Sequence, residues 1–527
     1  MDTAFGRSRT PEHGLGERPS AACRAEALDL LATAETLTAA NPKLGATLDG
    51  WRQRVNDLLA GPIADDLATE RHMEELAMDF RRQWIDLAHS VVAGEMRSPP
   101  IDRLPLLPVS PSVPYLYERI LGPREAEKQL KAVEPEVPGW KMAIALFASG
   151  MAAITAAITV LRHKSEKYCR VDGHALRLDM FGGYFETLML LELLNSSDLR
   201  CQSFRNLDRV LDRFSRGETD ILFLELIAYD WKQTVVDPAR VFKALAARPT
   251  DRPWVLMVDN TLLGPMFQLG PVLAACGERQ PILVMEIRSG LKLEQVGLEF
   301  SNVGIIKTLS PEGLDTGRYM DAEQFHKSLV SARKRLGGGL SLSQVAILDA
   351  PWIFHPEWTM RHTQAVLDNN RRLAFALSGI RGLFAHVNHP CLSRECELSW
   401  AESPIVVMEF QAGDDEEENT RFLLGVIAHE VRRRHLVFHL GASFGFRHHR
   451  CEMVRPERYT HPDGKAATFF KVAMGSRSGP SMDGTIELMQ ELAAFPDFRA
   501  LRFAYPEIKP ERELAVFPDM RSLRLTR

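Results

Sequence analysis

The sequence predicts an α/β fold, with a large domain around a mostly parallel sheet, a smaller α+β domain behind it and a helical extension in front. Three observations carry this reading. Apolar residues recur at helical spacing through about 25–92; helical patterns alternate with short apolar runs between about 124 and 287; and past about 346 similar runs surround one long helix. The boundaries that follow are 1–97 for a tail and helical extension, 98–345 for the large domain with an arm before it, and 346–527 for the α+β domain.

Residues 1–20 are polar and rich in Gly, Pro and Arg, which predicts a tail unable to bury enough surface to offset its ordering entropy. Leu28, Leu30, Leu31 and Leu37, then Leu76, Phe80, Trp84, Ile85 and Leu87, predict helices interrupted at Asn41-Pro42 and Gly61-Pro62. The Pro-rich stretch 98–117 predicts a linker or an arm lying on another surface, because each Pro imposes extended backbone and removes an amide donor. Helices are then expected near 124–134, 152–161, 185–195 and 238–247, and strands near 169–171, 221–226, 253–259 and 281–287. From Met320 to Leu377 the pattern is helical, broken by the three glycines 337–339 and by Pro351 and Pro356. In the last domain the runs 403–410, 435–440 and 467–474 read as strands around a helix at 418–434, and the acidic 414–419 reads as a solvated loop.

Composition narrows the partners. With 64 Lys+Arg against 69 Asp+Glu, the net charge of -5 gives no basic surface for nucleic acid or an anionic membrane. The chain has no apolar stretch of membrane-spanning length, and its seven widely spread cysteines form no CxxC pair, which predicts reduced thiols, a cytoplasmic protein and a small-molecule partner. No metal is expected: His429-Glu430 is followed by His435, six residues past the first histidine, whereas a zinc helix needs the two at i and i+4.

An ordered set of polar residues carries the chemistry. Tyr117 and Arg119 would project to one side of an extended segment and could grip one phosphate. Ser149-Gly150-Met151 lies between an apolar run and a helix, the arrangement of an anion site at a helix N-terminus. Phe181-Gly182-Gly183 sets an aromatic face beside two residues without side chains, where a flat ring could stack. Asp259 ends an apolar strand and could pair with a protonated ring nitrogen. Ser289 and Lys292, just after the next strand, offer a hydroxyl and an amine that becomes nucleophilic if burial lowers its pKa. Each feature alone also fits an ordinary turn, a core aromatic or a surface lysine; only their order speaks for a common site.

That order, Tyr-x-Arg, Ser-Gly-Met, aromatic-Gly-Gly, strand-Asp-Asn-Thr, Ser-x-x-Lys, resembles the Cys/Met-metabolism enzymes of fold type I, such as cystathionine γ-synthase and γ-lyase, from about Tyr115 to Gly475. The resemblance implies pyridoxal 5'-phosphate as cofactor, with Lys292 as Schiff-base lysine and later general base, and Asp259 on the pyridine nitrogen. It implies Phe181 on the ring, and Ser149, Gly150, Met151 and Ser289 on the phosphate. Tyr117 and Arg119 would reach a neighbour's phosphate across a homodimer or homotetramer interface, Tyr117 also serving in catalysis. Tyr229 stands where the family has an asparagine, Leu291 where it has a hydroxyl, and Lys471 where an arginine clamps the substrate carboxylate, with Arg447 and Arg450 as alternative cations and Ser443 in a substrate-site segment.

The family usually carries a tyrosine at the stacking position, and Phe181 lacks its hydroxyl. This favours γ-elimination or γ-replacement of a group that leaves C4 unprotonated, such as a halide, an activated ester or a sulfonium, over β-elimination or ordinary cystathionine chemistry. An aminotransferase or decarboxylase would use the same lysine and aspartate. From another class comes a serine hydrolase, because Gly441-Ala-Ser443-Phe-Gly445 matches a nucleophile elbow with His449, His461 and Asp463 downstream, although the following residues lack an apolar helical stripe. A third reading is a silent member that keeps the fold and binds a partner protein.

Overall fold

In the computed structural model, the extension folds as three helices, α1 (Ala22–Ala40), α2 (Pro42–Ala60) and α3 (Leu67–Val92). The residues described are 21–40, 42–100, 115–167, 174–348, 353, 355–393, 398, 400–455 and 468–515. The expected tail, most of the Pro-rich arm and the strand near 169–171 therefore lie outside them. Along α3, Met73, Leu76, Ala77, Phe80, Trp84, Ala88 and Val92 form one buried stripe at three- and four-residue spacing, and Asp66 caps the helix by accepting from the Thr69 amide at 2.7 Å.

The large domain runs α4 (Arg124–Val133), β1 (Trp140–Phe147), α5 (Gly150–His163), β2 (Leu176–Phe181), α6 (Phe185–Leu194), β3 (Leu199–Phe204), α7 (Leu207–Ser215), β4 (Ile221–Glu225), α8 (Pro238–Ala247), β5 (Val255–Asp259), α9 (Leu269–Cys276), β6 (Leu283–Ser289), β7 (Gly304–Pro311) and α10 (Ala322–Leu336). Seven strands form a sheet in the order β1-β7-β6-β5-β4-β2-β3. All run one way except β7, which is antiparallel to both β1 and β6. One face is covered by α5 and α10, the other by α7, α8 and α9. Burial on both faces explains the unbroken apolar runs of β4 and β5. It also explains why β7 escaped the sequence reading: its run is interrupted by Lys307, buried and paired with Glu134 at 2.9 Å.

After α11 (Leu342–Leu348) and α12 (Pro356–Leu377), β8 (Phe384–Asn388), β9 (Val406–Phe410), α13 (Glu417–Arg434), β10 (Phe438–Leu440), β11 (His449–Val454) and β12 (Phe469–Ala473) build a second sheet, ordered β10-β11-β12-β9-β8. Helices α14 (Pro480–Ala493), α15 (Phe498–Ala504) and α16 (Pro510–Ala515) complete the chain's described part. Among the described residues, no helix is long and apolar enough to cross a membrane.

The extension packs on this framework by two means. Trp84 is buried against α11 and donates its indole N–H to the Ile347 carbonyl at 3.0 Å. Three acids of α1 and α3 meet basic groups of the C-terminal domain, and a fourth meets its backbone: Arg477 bonds Glu26 at 2.7 Å and Glu74 at 3.0 Å, Arg447 bonds Asp29 at 2.6 Å, His448 bonds Glu74 at 3.0 Å, and Glu70 accepts from the Ser481 amide at 2.6 Å. Arg450 donates to Nε2 of His448 at 2.7 Å, so the ring gives its remaining N–H to Glu74.

Burial draws the His448 pKa from 6.5 down to about 4, against the pull of Glu74. Burial of Glu74 opposes its ionisation, but His448 and Arg477 outweigh it and hold the carboxyl well below the usual range. Both groups take up protons more readily in the unfolded chain, so stability falls with pH, first through the histidine window and then through the carboxylate range. The urea midpoint is expected to drop as pH falls from 6.5 to about 4, and His448→Gln should flatten that part of the profile. An unchanged slope in the variant would assign the acid sensitivity elsewhere.

Candidate active site

The C-terminal ends of β4, β5 and β6 and the N-terminus of α5 open on one cavity of about 350 Å³, closed by the loop between β10 and β11. Ligands of open α/β sheets bind at this edge because the loops there diverge and the helix N-termini point inward. The lining brings together Ser149, Gly150, Met151, Tyr229, Asp259, Ser289, Lys292 and Ser443, all read as site residues from the sequence.

The turn expected to form an anion cup is built by close backbone approach. A Cβ on Gly304 would stand 2.1 Å from the Ser149 carbonyl oxygen, so only glycine lets β7 pass beneath the start of α5. Ser149 caps the helix, accepting from the Ala152 amide at 3.1 Å, and Gly150 and Met151 supply first-turn amides, which have no acceptor within a helix. Ser289 faces this turn, its amide donating to Thr261 at 3.1 Å.

Asp259 is half-buried at the cavity wall and accepts from the Thr261 amide at 2.9 Å; desolvation raises its pKa, with Thr261 opposing. Burial, helped by the charge of Lys471, pulls the Lys292 amine from 10.5 down to about 8. A sizeable neutral fraction near neutral pH makes it a nucleophile and a base. Its Nζ donates to the Ser443 hydroxyl. Lys292 and Ser443 meet because Gly445, at φ +83°, lies where a Cβ would come within 2.2 Å of the Lys292 carbonyl oxygen.

Four sequence expectations are corrected. Phe181 does not line the cavity; it is 1% exposed and packs with Leu207 and Leu224 in the core beneath the sheet. The glycines beside it serve Glu225: a Cβ on Gly182 would meet that carboxyl at 2.6 Å, and Glu225 accepts from the amides of Gly183, Tyr184 and Tyr229 at 2.8–2.9 Å. Burial and the charge of Asp259 raise the Glu225 pKa to about 7 while those amides oppose. The clamped turn sends Tyr184 into the cavity instead, edge to face with Tyr229 at 5.6 Å between ring centroids.

Arg447 and Arg450 also stand away from the cavity lining, Arg447 held by Asp29 and Arg450 lying 3.6 Å over the Phe446 ring. The elbow reading of Ser443 fails on its surroundings, since the chain runs through irregular backbone into β11 rather than into a helix, and the hydroxyl faces Lys292. The ring of His449 is turned to the Gly475 amide at 3.0 Å, and His461 and Asp463 lie outside the described residues.

Tyr117 is 53% exposed, with Arg119 stacked on its ring at 5.4 Å, and neither lines this cavity. Lys471 is buried behind Tyr229, donating to its hydroxyl at 2.9 Å and to Glu452 at 2.5 Å. The sequence reading missed Tyr184, Glu186, Thr261, Asn302, Phe444 and Glu452 in the lining. Tyr184 had a signal in the apolar run of β2, which already places Phe181 inside the sheet; Glu452 had none without the pairing of β11 with β12. Elsewhere, Glu74, His439 and His448 form a grouping of metal-ligand type, with His448 engaged by Arg450 and Glu74 by Arg477.

Neither a protein-family model nor a curated protein matches the sequence. Solved structures do match. The cystathionine γ-lyase of Micromonospora echinospora is 18% identical, covers 78% of this chain and 98% of its own, and superposes with a TM-score of 0.51. The chain has the fold of these enzymes. The metB protein of Corynebacterium glutamicum, 16% identical, covers 76% of this chain and 91% of its own with a TM-score of 0.51; for cystathionine γ-lyase from yeast the figures are 16%, 78%, 97% and 0.50. This confirms the fold-type-I class expected from the motifs, at identities where only the fold is shared ground.

The Lys292 amine should label with an amine-reactive acylating reagent to a half-maximal rate near pH 8, read residue by residue by mass spectrometry. Lys471→Met removes a neighbouring positive charge and should move that midpoint upward. A midpoint near 10.5, the ordinary lysine value, would show that burial does not tune this amine.

Proposed function

We propose that the chain is a pyridoxal-phosphate enzyme that eliminates or replaces a substituent at C4 of an amino acid. The observation that carries it is the meeting, in one cavity, of a half-buried amine of lowered pKa, a half-buried carboxylate at the end of the adjacent strand, and a helix N-terminus backed by a hydroxyl. These donors fit the group: Ser149, Gly150, Met151 and Ser289 would hold its phosphate, Asp259 its ring nitrogen and Lys292 its aldehyde carbon. When bound, the cofactor supplies an electron sink for charge developed at the substrate's α-carbon.

The chain's own residues account for the rest. Lys292, once displaced by the substrate amine, is placed to take the α-proton, and Ser443 orients it by accepting its N–H. Tyr184 replaces Phe181 as the aromatic available to the ring. Burial and the Glu186 carboxylate, to which it donates at 2.6 Å, hold its hydroxyl protonated well above neutral pH. With that hydroxyl present, the case for an unprotonated leaving group such as a halide can no longer rest on its absence. The competing outcome at this site is β-elimination or a cystathionine-type C–S lyase or transferase reaction, which the same lysine and aspartate would serve.

The exposed Tyr117–Arg119 pair supports a homodimer or homotetramer in which these residues complete a neighbour's phosphate site, and the free thiols of Cys23, Cys201, Cys276 and Cys451 suit a cytoplasmic protein. The purified protein, mixed with pyridoxal phosphate, is expected to develop the visible absorption band of a lysine imine, absent from Lys292→Ala. No band in the wild type would remove the proposal and favour a silent, partner-binding member of the fold.

A further inference from the structure

Lys471 and Glu452 are direct cross-strand partners on β12 and β11, and their ammonium and carboxylate meet at 2.5 Å. Lys471 is 1% exposed, whereas Glu452 is 28% exposed and lines the cavity. The cation that the resemblance sets on a substrate carboxylate thus stands behind the lining, matched by an acid that belongs to it. Glu186 lines the cavity as a second carboxylate, and the rings of Tyr184 and Tyr229 stand edge to face beside the pair.

Resting on the cofactor reading above, the charges sort into two halves. Lys292 and Asp259 belong to the cofactor, and Glu225 is held by three backbone amides. What remains around the substrate half is Glu452 and Glu186 in the lining and Lys471 behind it, one negative charge in excess. An amino acid with a neutral side chain would bring its α-carboxylate into this half and deepen the excess, with two carboxylates competing for Lys471. A side chain with a fixed positive charge reverses this. Its cation takes Glu452, and the aromatic faces of Tyr184 and Tyr229 receive the charge with little desolvation cost.

We propose that the substrate is an α-amino acid whose side chain carries a positive charge, a sulfonium or an alkylammonium, with Glu452 as its counter-ion and the specificity-determining residue. The test is calorimetric titration of the cofactor-loaded protein with S-methylmethionine and with methionine, which differ by one methyl group and the charge, alongside the absorption band. Binding of the sulfonium is expected to be at least about tenfold tighter, and Glu452→Gln should reduce the ratio to near unity. Equal affinities in the wild type would overturn the inference, a comparison that does not depend on how the variant folds. A ratio unmoved in a folded Glu452→Gln, checked by circular dichroism, would overturn the role of Glu452. Retained preference without the absorption band would instead remove the cofactor reading and leave the cation site standing, so the two failures are separable.

Discussion

The contact on which the site depends is the passage of Gly445 across the carbonyl of Lys292. At φ +83° and with no room for a Cβ, this residue lets the loop after β10 lie directly on the segment that carries the lysine. Two consequences follow. Ser443, itself at φ +81°, is brought to the Lys292 amine, and the second sheet closes the cavity that the first sheet opens. The lowered pKa of Lys292 is then a product of the closure, since burial is its first cause and Lys471, on the second sheet, its second.

A second layer of constraint comes from the extension. Arg447 on the C-terminal domain is held by acids of α1 and Arg477 by acids of α1 and α3, and a Cβ on Gly475 would stand 2.3 Å from the Arg447 carbonyl oxygen. Buried pairs of this kind fix geometry more surely than they add net stability, because desolvation offsets much of the Coulomb gain. Their effect here is exclusion as well as docking: Arg447, one of the cations expected at a substrate carboxylate, is held away from the cavity lining, while Lys471, a point charge, is partnered by Glu452.

How much was legible can be judged from particular elements. The helices of the extension, α5, β4, β5 and the lysine loop follow from local pattern, because burial on one stripe or on both faces imposes a period on the residues themselves. Strand β7 did not, since its lysine and polar residues are satisfied by partners distant in sequence, and β11 did not, since its alternation is filled by His449, Cys451 and Glu452. Within the site, Asp259, Ser289 and Lys292 stood at strand ends and were legible as such. Phe181 was misread because its glycines answer to Glu225, a residue 42 positions or more away along the chain.

The sequence by itself determined the α/β class, the helices of the extension, β4, β5, α5 and the placing of Asp259 and Lys292 at neighbouring strand ends, since these are properties of short segments whose period and ends are written locally. Only the tertiary structure decided which aromatic enters the cavity, which cations are held away from it, and which acid Lys471 meets. Those choices belong to contacts between strands and domains: Glu225 turning Tyr184 inward, Asp29 drawing Arg447 away, and the register of β11 on β12 setting Glu452 against Lys471. No segment carries such a pairing alone, because a side chain's partner is fixed by packing, not by its neighbours in sequence.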